Sequence, residues 1–161
     1  MGQFTAMEKT TVIRMLEQQH ISFQALEYTV DERDLSATHA AELLGLEADR
    51  VFKTIVLQGE RIGYLVCVIP GTCEVDLKKA AKAVSDKAIR PLPLKDLETL
   101  TGYIRGGCSP LGMKKKLPTY IDETALMFDS ISVSAGRRGL QILIAPQILA
   151  ELSDAQFCSL I

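Results

Sequence analysis

One lysine interrupts an apolar, strand-like run, and two small-residue turns follow it far downstream. The run reads Val51-Phe52-Lys53-Thr54-Ile55-Val56-Leu57. The turns are Gly106-Gly107-Cys108-Ser109-Pro110 and Ser134-Ala135-Gly136-Arg137-Arg138-Gly139. A cation in such a strand must reach water or a polar pocket, because burying an unpaired ammonium costs several kcal/mol or neutralises it. The turns offer backbone N–H groups and little side-chain bulk. Lysine and turns together suit a site for a polarised carbonyl or a phosphate-bearing substrate. An oxyanion forming on a carbonyl gains roughly 3 kcal/mol from each pre-aimed donor.

Other chemistries find less support. Cys67, Cys73, Cys108 and Cys158 form no C-x-x-C pair, and with only His20 and His39 beside them a zinc site is not expected. No cofactor is expected either. No Ser-His-Asp arrangement is evident, and neither histidine lies near the two turns. Cys108 has no His or Asp partner in sequence and reads as a small pocket-wall residue rather than a nucleophile. Cys67, inside Leu65-Val66-Cys67-Val68, reads as core. His39 reads as a solvated helix residue, and His20 as a helix-end residue near terminal carbonyls.

The 161 residues fit one domain, 1–161, of ordinary globular composition. A net charge of −2 argues against a chain coated with cation for tight, nonspecific nucleic-acid binding. Two short basic runs remain, Lys114-Lys115-Lys116 and Arg137-Arg138, either solvated turns or phosphate contacts. The first ten residues carry neither a secretory apolar stretch nor a myristoylation pattern, since Ala6 stands where Ser or Thr is required. No membrane span and a cytoplasmic location are the expectations.

Apolar spacing predicts a helix over Thr10–Gln19, with Ser36 capping a second over Ala37–Leu44 that Gly45 closes. Ile21–Tyr28 alternates as a strand. Val51–Gln58 and Ile62–Ile69 read as a hairpin around Gly59-Glu60-Arg61. Asp76 caps a helix over Leu77–Val84, and Lys95–Leu100 forms a short one. Tyr103-Ile104, Tyr120-Ile121, Ile131–Val133 and Gln141–Ile144 read as short strands, and Pro146 opens a last helix. The fold class is α+β: a mixed, largely antiparallel, curved or barrel-like sheet flanked by helices.

At Phe52-Lys53-Thr54, at Tyr103 to Gly112, at Lys115-Lys116-Leu117-Pro118-Thr119 and at Val133 to Leu140 the sequence resembles the YbaK (EbsC) family. These proteins clear cysteine mischarged on proline tRNA and are related to the editing domain of bacterial prolyl-tRNA synthetases. The segments keep the family's order and spacing over nearly the whole chain. The resemblance implies that Lys53 is the essential lysine. It implies that Gly106 and Gly107 belong to a loop whose N–H groups face the substrate, with Cys108, Ser109 and Pro110 completing it. It places Phe52 and Thr54 beside the lysine and Ser134, Ala135 and Gly136 in a serine-bearing turn at the substrate. Tyr28 matches an early family tyrosine. Ser134 stays open between turn-former and ligand contact, and Tyr28 between half-buried strand aromatic and site residue.

Two positions depart from the family pattern. Gln141 stands where some members carry an acid, and Asp31-Glu32 where many carry His-Asp, so neither role carries over. The resemblance further implies a substrate-assisted route, with an editing hydrolase that uses water on alanine or another small residue, and a tRNA- or synthetase-binding module without turnover, open beside it. The cysteine's own thiol attacks its own carbonyl and leaves the tRNA as a strained cyclic thioester, while the protein positions and polarises. The implied partner is the acceptor end of an aminoacyl-tRNA, with prolyl-tRNA synthetase as a candidate and monomer or homodimer both open. Editing is needed because one methylene of difference discriminates substrates by only about 1–3 kcal/mol.

Overall fold

Helix boundaries fall where the capping residues put them. In the computed structural model, which describes residues 9–161, Thr10 caps α1 (Thr11–Gln18) by accepting from the Ile13 N–H at 3.2 Å. Ser36 does the same for α2 (Ala37–Leu44) through the His39 N–H at 3.2 Å, and Gly45 ends that helix in the left-handed region at φ +68°. Asp76 accepts from the Lys78 and Lys79 N–H groups to start α3 (Leu77–Ala83). The short α4 (Leu97–Thr101) and the Pro146-initiated α5 (Pro146–Ser153) complete the set. The first eight residues, where targeting signals were sought, lie outside the described residues. Among the described residues no helix is long and apolar enough to cross a membrane.

Eight strands form two sheets. β1 (Gln24–Glu27), β7 (Leu140–Ile144) and β6 (Ile131–Ser134) make an antiparallel trio in that order. The second sheet runs β4 (Ile89–Pro91), β2 (Phe52–Gly59), β3 (Tyr64–Pro70), β5 (Thr119–Asp122) and β8 (Gln156–Cys158). The β2–β3 and β2–β4 pairs are antiparallel, and the β3–β5 and β5–β8 pairs parallel. The sheets meet at a single parallel bridge, Val51 to Ser132, and no closed barrel forms among the described residues.

Strand periodicity divides the core. On β3, Val66 and Val68 face a cluster between the sheets, with Phe52, Val56, Ile121, Val133, Ile142 and the buried side of α1. The alternate residues Leu65, Cys67 and Ile69 face a second cluster under α3. Because both faces of β2 are covered near its ends, it does not alternate cleanly: Phe52 is buried, and so are the neighbours Val56 and Leu57.

Several sequence expectations need correction. Tyr103-Ile104 is not a strand. The Tyr103 N–H donates to Thr101 Oγ1 at 3.0 Å and its hydroxyl to the Leu111 carbonyl at 2.6 Å, which fixes it in a loop. β1 is shorter than the Ile21–Tyr28 run, and β3 starts at Tyr64 rather than Ile62. Asp86 holds the hairpin connection by accepting from the Arg61 and Ile62 N–H groups at 2.9 and 2.8 Å. β4 and β8, three residues each, were not legible as strands.

Candidate active site

The cavity arises from how β2 is shared. β3 occupies one edge of β2 along Phe52–Gln58 and continues beside Val51, whose carbonyl accepts from the Gly71 N–H at 2.8 Å. The other edge bridges Ser132 at its start and pairs with β4 from Leu57 onward. Between those points this edge has no strand partner among the described residues, and there the two sheets part around a cavity of about 610 Å³. That volume is typical of small-ligand sites.

Lys53 and Thr54 stand on this open stretch. Thr54 shares the period of Phe52 and Val56 and so turns inward, whereas Lys53 shares that of Ile55 and Leu57. Both line the cavity, which reaches each face at the parted edge. The Lys53 side chain is three-quarters buried, and its ammonium ion-pairs with Glu74, an exposed carboxylate, at 3.2 Å. Thr54 Oγ1 is buried with no hydrogen-bond partner, the one such side-chain atom among the described residues.

The glycine loop divides its labour. Gly106, at φ +86°, lines the cavity, and a β-carbon there would meet Leu35 at 3.3 Å. Gly107 is buried behind it and does not line the cavity. Its N–H donates to the Ile104 carbonyl at 3.0 Å, so that donor is already used in a turn. A β-carbon on Gly107 would lie 3.1 Å from backbone atoms of Arg137 and Arg138, which fits this glycine to loop-on-turn packing. The N–H groups of Gly106, Cys108 and Ser109 have no acceptor among the described residues. Cys108 lines the cavity, while Ser109 and Pro110 are buried outside it, with Ser109 Oγ accepting from the Leu111 N–H at 3.2 Å.

The second turn brings one residue into the cavity. Ser134 lines it and also accepts from the Gly136 N–H at 3.2 Å, so it both shapes the turn and faces the site. Ala135 is buried, and Gly136 borders a smaller cavity beside Tyr103. Tyr28 is half-buried, lines the main cavity, and donates its N–H to the Gly139 carbonyl at 3.0 Å. Of the twelve candidate residues, Tyr28, Phe52, Lys53, Thr54, Gly106, Cys108 and Ser134 are thus assembled. Gly107, Ser109, Pro110, Ala135 and Gly136 act behind the wall.

Sequence reasoning missed three parts of this wall. Arg33, Asp34, Leu35 and Ser36 enter because α2 is seated against Gly71, where a β-carbon would lie 2.5 Å from that of Ala37. The Pro70-Gly71 pair carried that signal. Leu92, Leu94 and Leu97 supply an apolar side. Gln141, only 6 % exposed, lines the cavity while its Oε1 accepts from Ser132 Oγ at 2.9 Å.

The titratable groups constrain the chemistry. Burial pushes the Cys108 thiol up to about 12, so it stays protonated near neutrality. The Ser36 hydroxyl and N–H hold the Asp34 carboxyl below the usual carboxylate range. Neither histidine lines the cavity, and His39 lies 3.8 Å from Asp34 and 3.7 Å from Glu42 on α2. No cluster of three or more His, Cys, Asp or Glu able to hold a metal occurs among the described residues. Cations gather at the opening: Arg33 and Arg105 line it, and Arg138 lies over Gly106 with Nε donating to the Arg105 carbonyl at 2.8 Å.

An open-edged strand bearing the lysine, with a glycine loop whose N–H groups are free lining the same cavity, suits the handling of a carbonyl or a phosphate on an α+β scaffold. The aminoacyl-tRNA editing domain matches residues 32–152, and the chain belongs to that family. It is 48% identical over 99% of its length, and 98% of the relative's, to the Enterococcus faecalis protein named "Putative Cys-tRNA(Pro)/Cys-tRNA(Cys) deacylase EbsC". It is 30% identical to the uncharacterized protein YwhH of Bacillus subtilis over 71% of this chain and 72% of that one. A crystal structure described as a putative trans-editing enzyme for prolyl tRNA synthetase superposes with TM-score 0.79 at 26% identity, covering 94% of this chain and 97% of the other. A hypothetical protein of solved structure shares the fold, with TM-score 0.83 at 20% identity over 92% of this chain and 97% of that one.

Proposed function

We propose that this protein is an aminoacyl-tRNA deacylase that removes cysteine from mischarged tRNA(Pro), using the substrate's own thiol as nucleophile. The observation that carries this reading is a cavity furnished for charge stabilisation but not for attack. It has Lys53, unpaired loop N–H groups and an arginine-lined opening, while its one thiol is held protonated and no histidine lines it. The full-length similarity to a protein named as a Cys-tRNA deacylase supports the same substrate class.

The chemistry follows from the placement. The acceptor end enters past Arg33 and Arg105, which suit its phosphates. The ester carbonyl lies against the free N–H groups of Gly106 and Cys108, each worth roughly 3 kcal/mol to a developing oxyanion. The substrate thiolate attacks that carbonyl carbon, the C–S bond forms and the C–O bond to the ribose breaks. The ribose oxygen departs with a proton equivalent to the one the thiol lost, and Lys53 polarises the oxygen that gains negative charge. Water then opens the four-membered cyclic thioester to free cysteine. Holding thiol and carbonyl in one geometry supplies much of the acceleration. Prolyl-tRNA synthetase is the partner this substrate suggests, in keeping with the trans-editing description of the similar structure.

Deacylation of Cys-tRNA(Pro) by wild type and Lys53→Ala tests the reading. Turnover by wild type and none by a folded Lys53→Ala protein is the expected result. Absence of wild-type cleavage, or full activity without Lys53, contradicts it.

A further inference from the structure

We infer that Asp34 anchors the substrate's α-ammonium, one carboxylate oxygen accepting from that group while the loop N–H groups hold the carbonyl. The inference rests on the cysteinyl-tRNA reading and places the substrate's one cation, which that reading leaves unassigned.

Asp34 is the one carboxylate that lines the cavity among the described residues. The other charged side chains of the lining, Arg33, Lys53 and Arg105, are all cations. An ammonium entering that field without a counter-charge is repelled, and costly to take out of water. Neutral acceptors do not cancel its charge, and two of those in the wall are already engaged: Gln141 Oε1 by Ser132, and Ser134 Oγ by the Gly136 N–H.

One side of the carboxylate is fixed and the other is open. Asp34 Oδ1 accepts from the Ser36 hydroxyl at 2.6 Å and the Ser36 N–H at 3.1 Å, which pins the side chain at the start of α2 and keeps it ionised. Oδ2 accepts no hydrogen bond among the described residues, and His39 Nδ1 stands 3.8 Å away. Arg33 and Lys53 do not occupy it, because they pair with Asp31 and Glu74, each at 3.2 Å. The Asp34 side chain is half exposed, so a donor in the cavity can reach it.

The position suits an aminoacyl ester. A β-carbon on Gly106 would lie 3.3 Å from that of Leu35, so the glycine loop rests against the residue that follows Asp34. In the substrate the α-nitrogen is one carbon removed from the carbonyl. A carbonyl on the Gly106 N–H thus has its ammonium within reach of this segment, whose one carboxylate in the cavity is Asp34. Such an anchor admits an ester with a free amine and disfavours an N-acylated one, such as a peptidyl ester.

The kcat/KM of wild type and Asp34→Asn on two substrates tests the anchor: Cys-tRNA(Pro), and β-mercaptopropionyl-tRNA(Pro), which keeps the thiol and the ester but lacks the amine. Asp34→Asn keeps an acceptor for Ser36 and removes the charge, so its unfolding temperature should match wild type. It should lose about 10-fold on Cys-tRNA(Pro) and less than about 2-fold on the deamino ester. Asp34→Glu, which restores the charge, should recover part of the loss. Equal losses on both substrates, or no loss on Cys-tRNA(Pro), overturn the anchor while the deacylase reading stands. Should Asp34→Asn not fold, wild type alone decides. Its acceleration over spontaneous hydrolysis should be about 10-fold smaller on the deamino ester, and equal accelerations overturn the anchor. No cleavage of Cys-tRNA(Pro) by wild type overturns the parent reading instead.

Discussion

Cys108 is expected to be a nearly inert thiol, and the size of that effect can be worked out. Burial pushes it up to about 12. At pH 7.5 such a thiol carries a thiolate fraction of roughly 3 × 10⁻⁵, against roughly 1 in 10 for an ordinary thiol near 8.5. A higher pKa returns part of that loss, because nucleophilicity toward a disulfide climbs with a Brønsted slope of about 0.4–0.5. The net rate with a small aromatic disulfide reagent should be roughly 100-fold below that of an ordinary thiol, before any further loss to steric exclusion. Peptide mapping over a labelling time course reads this directly. The half-exposed Cys73 should label first. Cys67, also pushed up to about 12, should lag with Cys108. Labelling of Cys108 at the pace of an ordinary thiol would refute the reasoning and restore an enzyme thiol as a candidate attacking group.

Gly107→Ala should destabilise the fold, because its β-carbon would press at 3.1 Å on the Arg137–Arg138 backbone, which cannot swing aside. Overpacking of about 1–3 kcal/mol outweighs the roughly 0.4–1 kcal/mol gained from a stiffer unfolded chain, so the unfolding temperature should fall a few degrees. An unchanged or higher Tm would show that the turn yields freely. Stability should decline as pH rises above about 9, since Cys67, Cys108 and Tyr103 are raised to about 12 and Cys158 to about 11. In that window the unfolded chain releases protons the folded chain keeps, so a Tm that is flat or climbing through pH 10–11 would contradict those shifts. Arg105→Ala should weaken tRNA binding and lower its salt slope by about 1, whereas Lys115→Ala, outside the cavity lining, should leave activity unchanged. Equal effects of the two would remove the arginine opening from recognition.

The strand bearing Lys53 was legible because an apolar run broken by one cation leaves few arrangements. The caps at Thr10, Ser36 and Asp76 were legible because one side chain fixes each helix start. The open edge of β2 was not, since it depends on β4 and β6 taking opposite ends of that edge, a long-range fact with no local signal. The glycine loop was found as a unit, but its division was hidden. Only tertiary contact shows that Gly106 faces the cavity while Gly107 packs on the second turn. Gln141 was noticed for lacking a charge. Its place in the cavity wall, with its Oε1 held by Ser132, is a tertiary fact.

Relative cleavage of Cys-tRNA(Pro) and Ser-tRNA(Pro) by the wild-type protein tests substrate-thiol catalysis most directly. The two substrates differ by one atom, and binding differences on the scale of a methylene deliver about 10–200-fold at most. If the attacking group belongs to the substrate, the ratio should exceed that range and survive Cys108→Ala. Comparable rates on the two esters would contradict the mechanism and leave water as the attacking group.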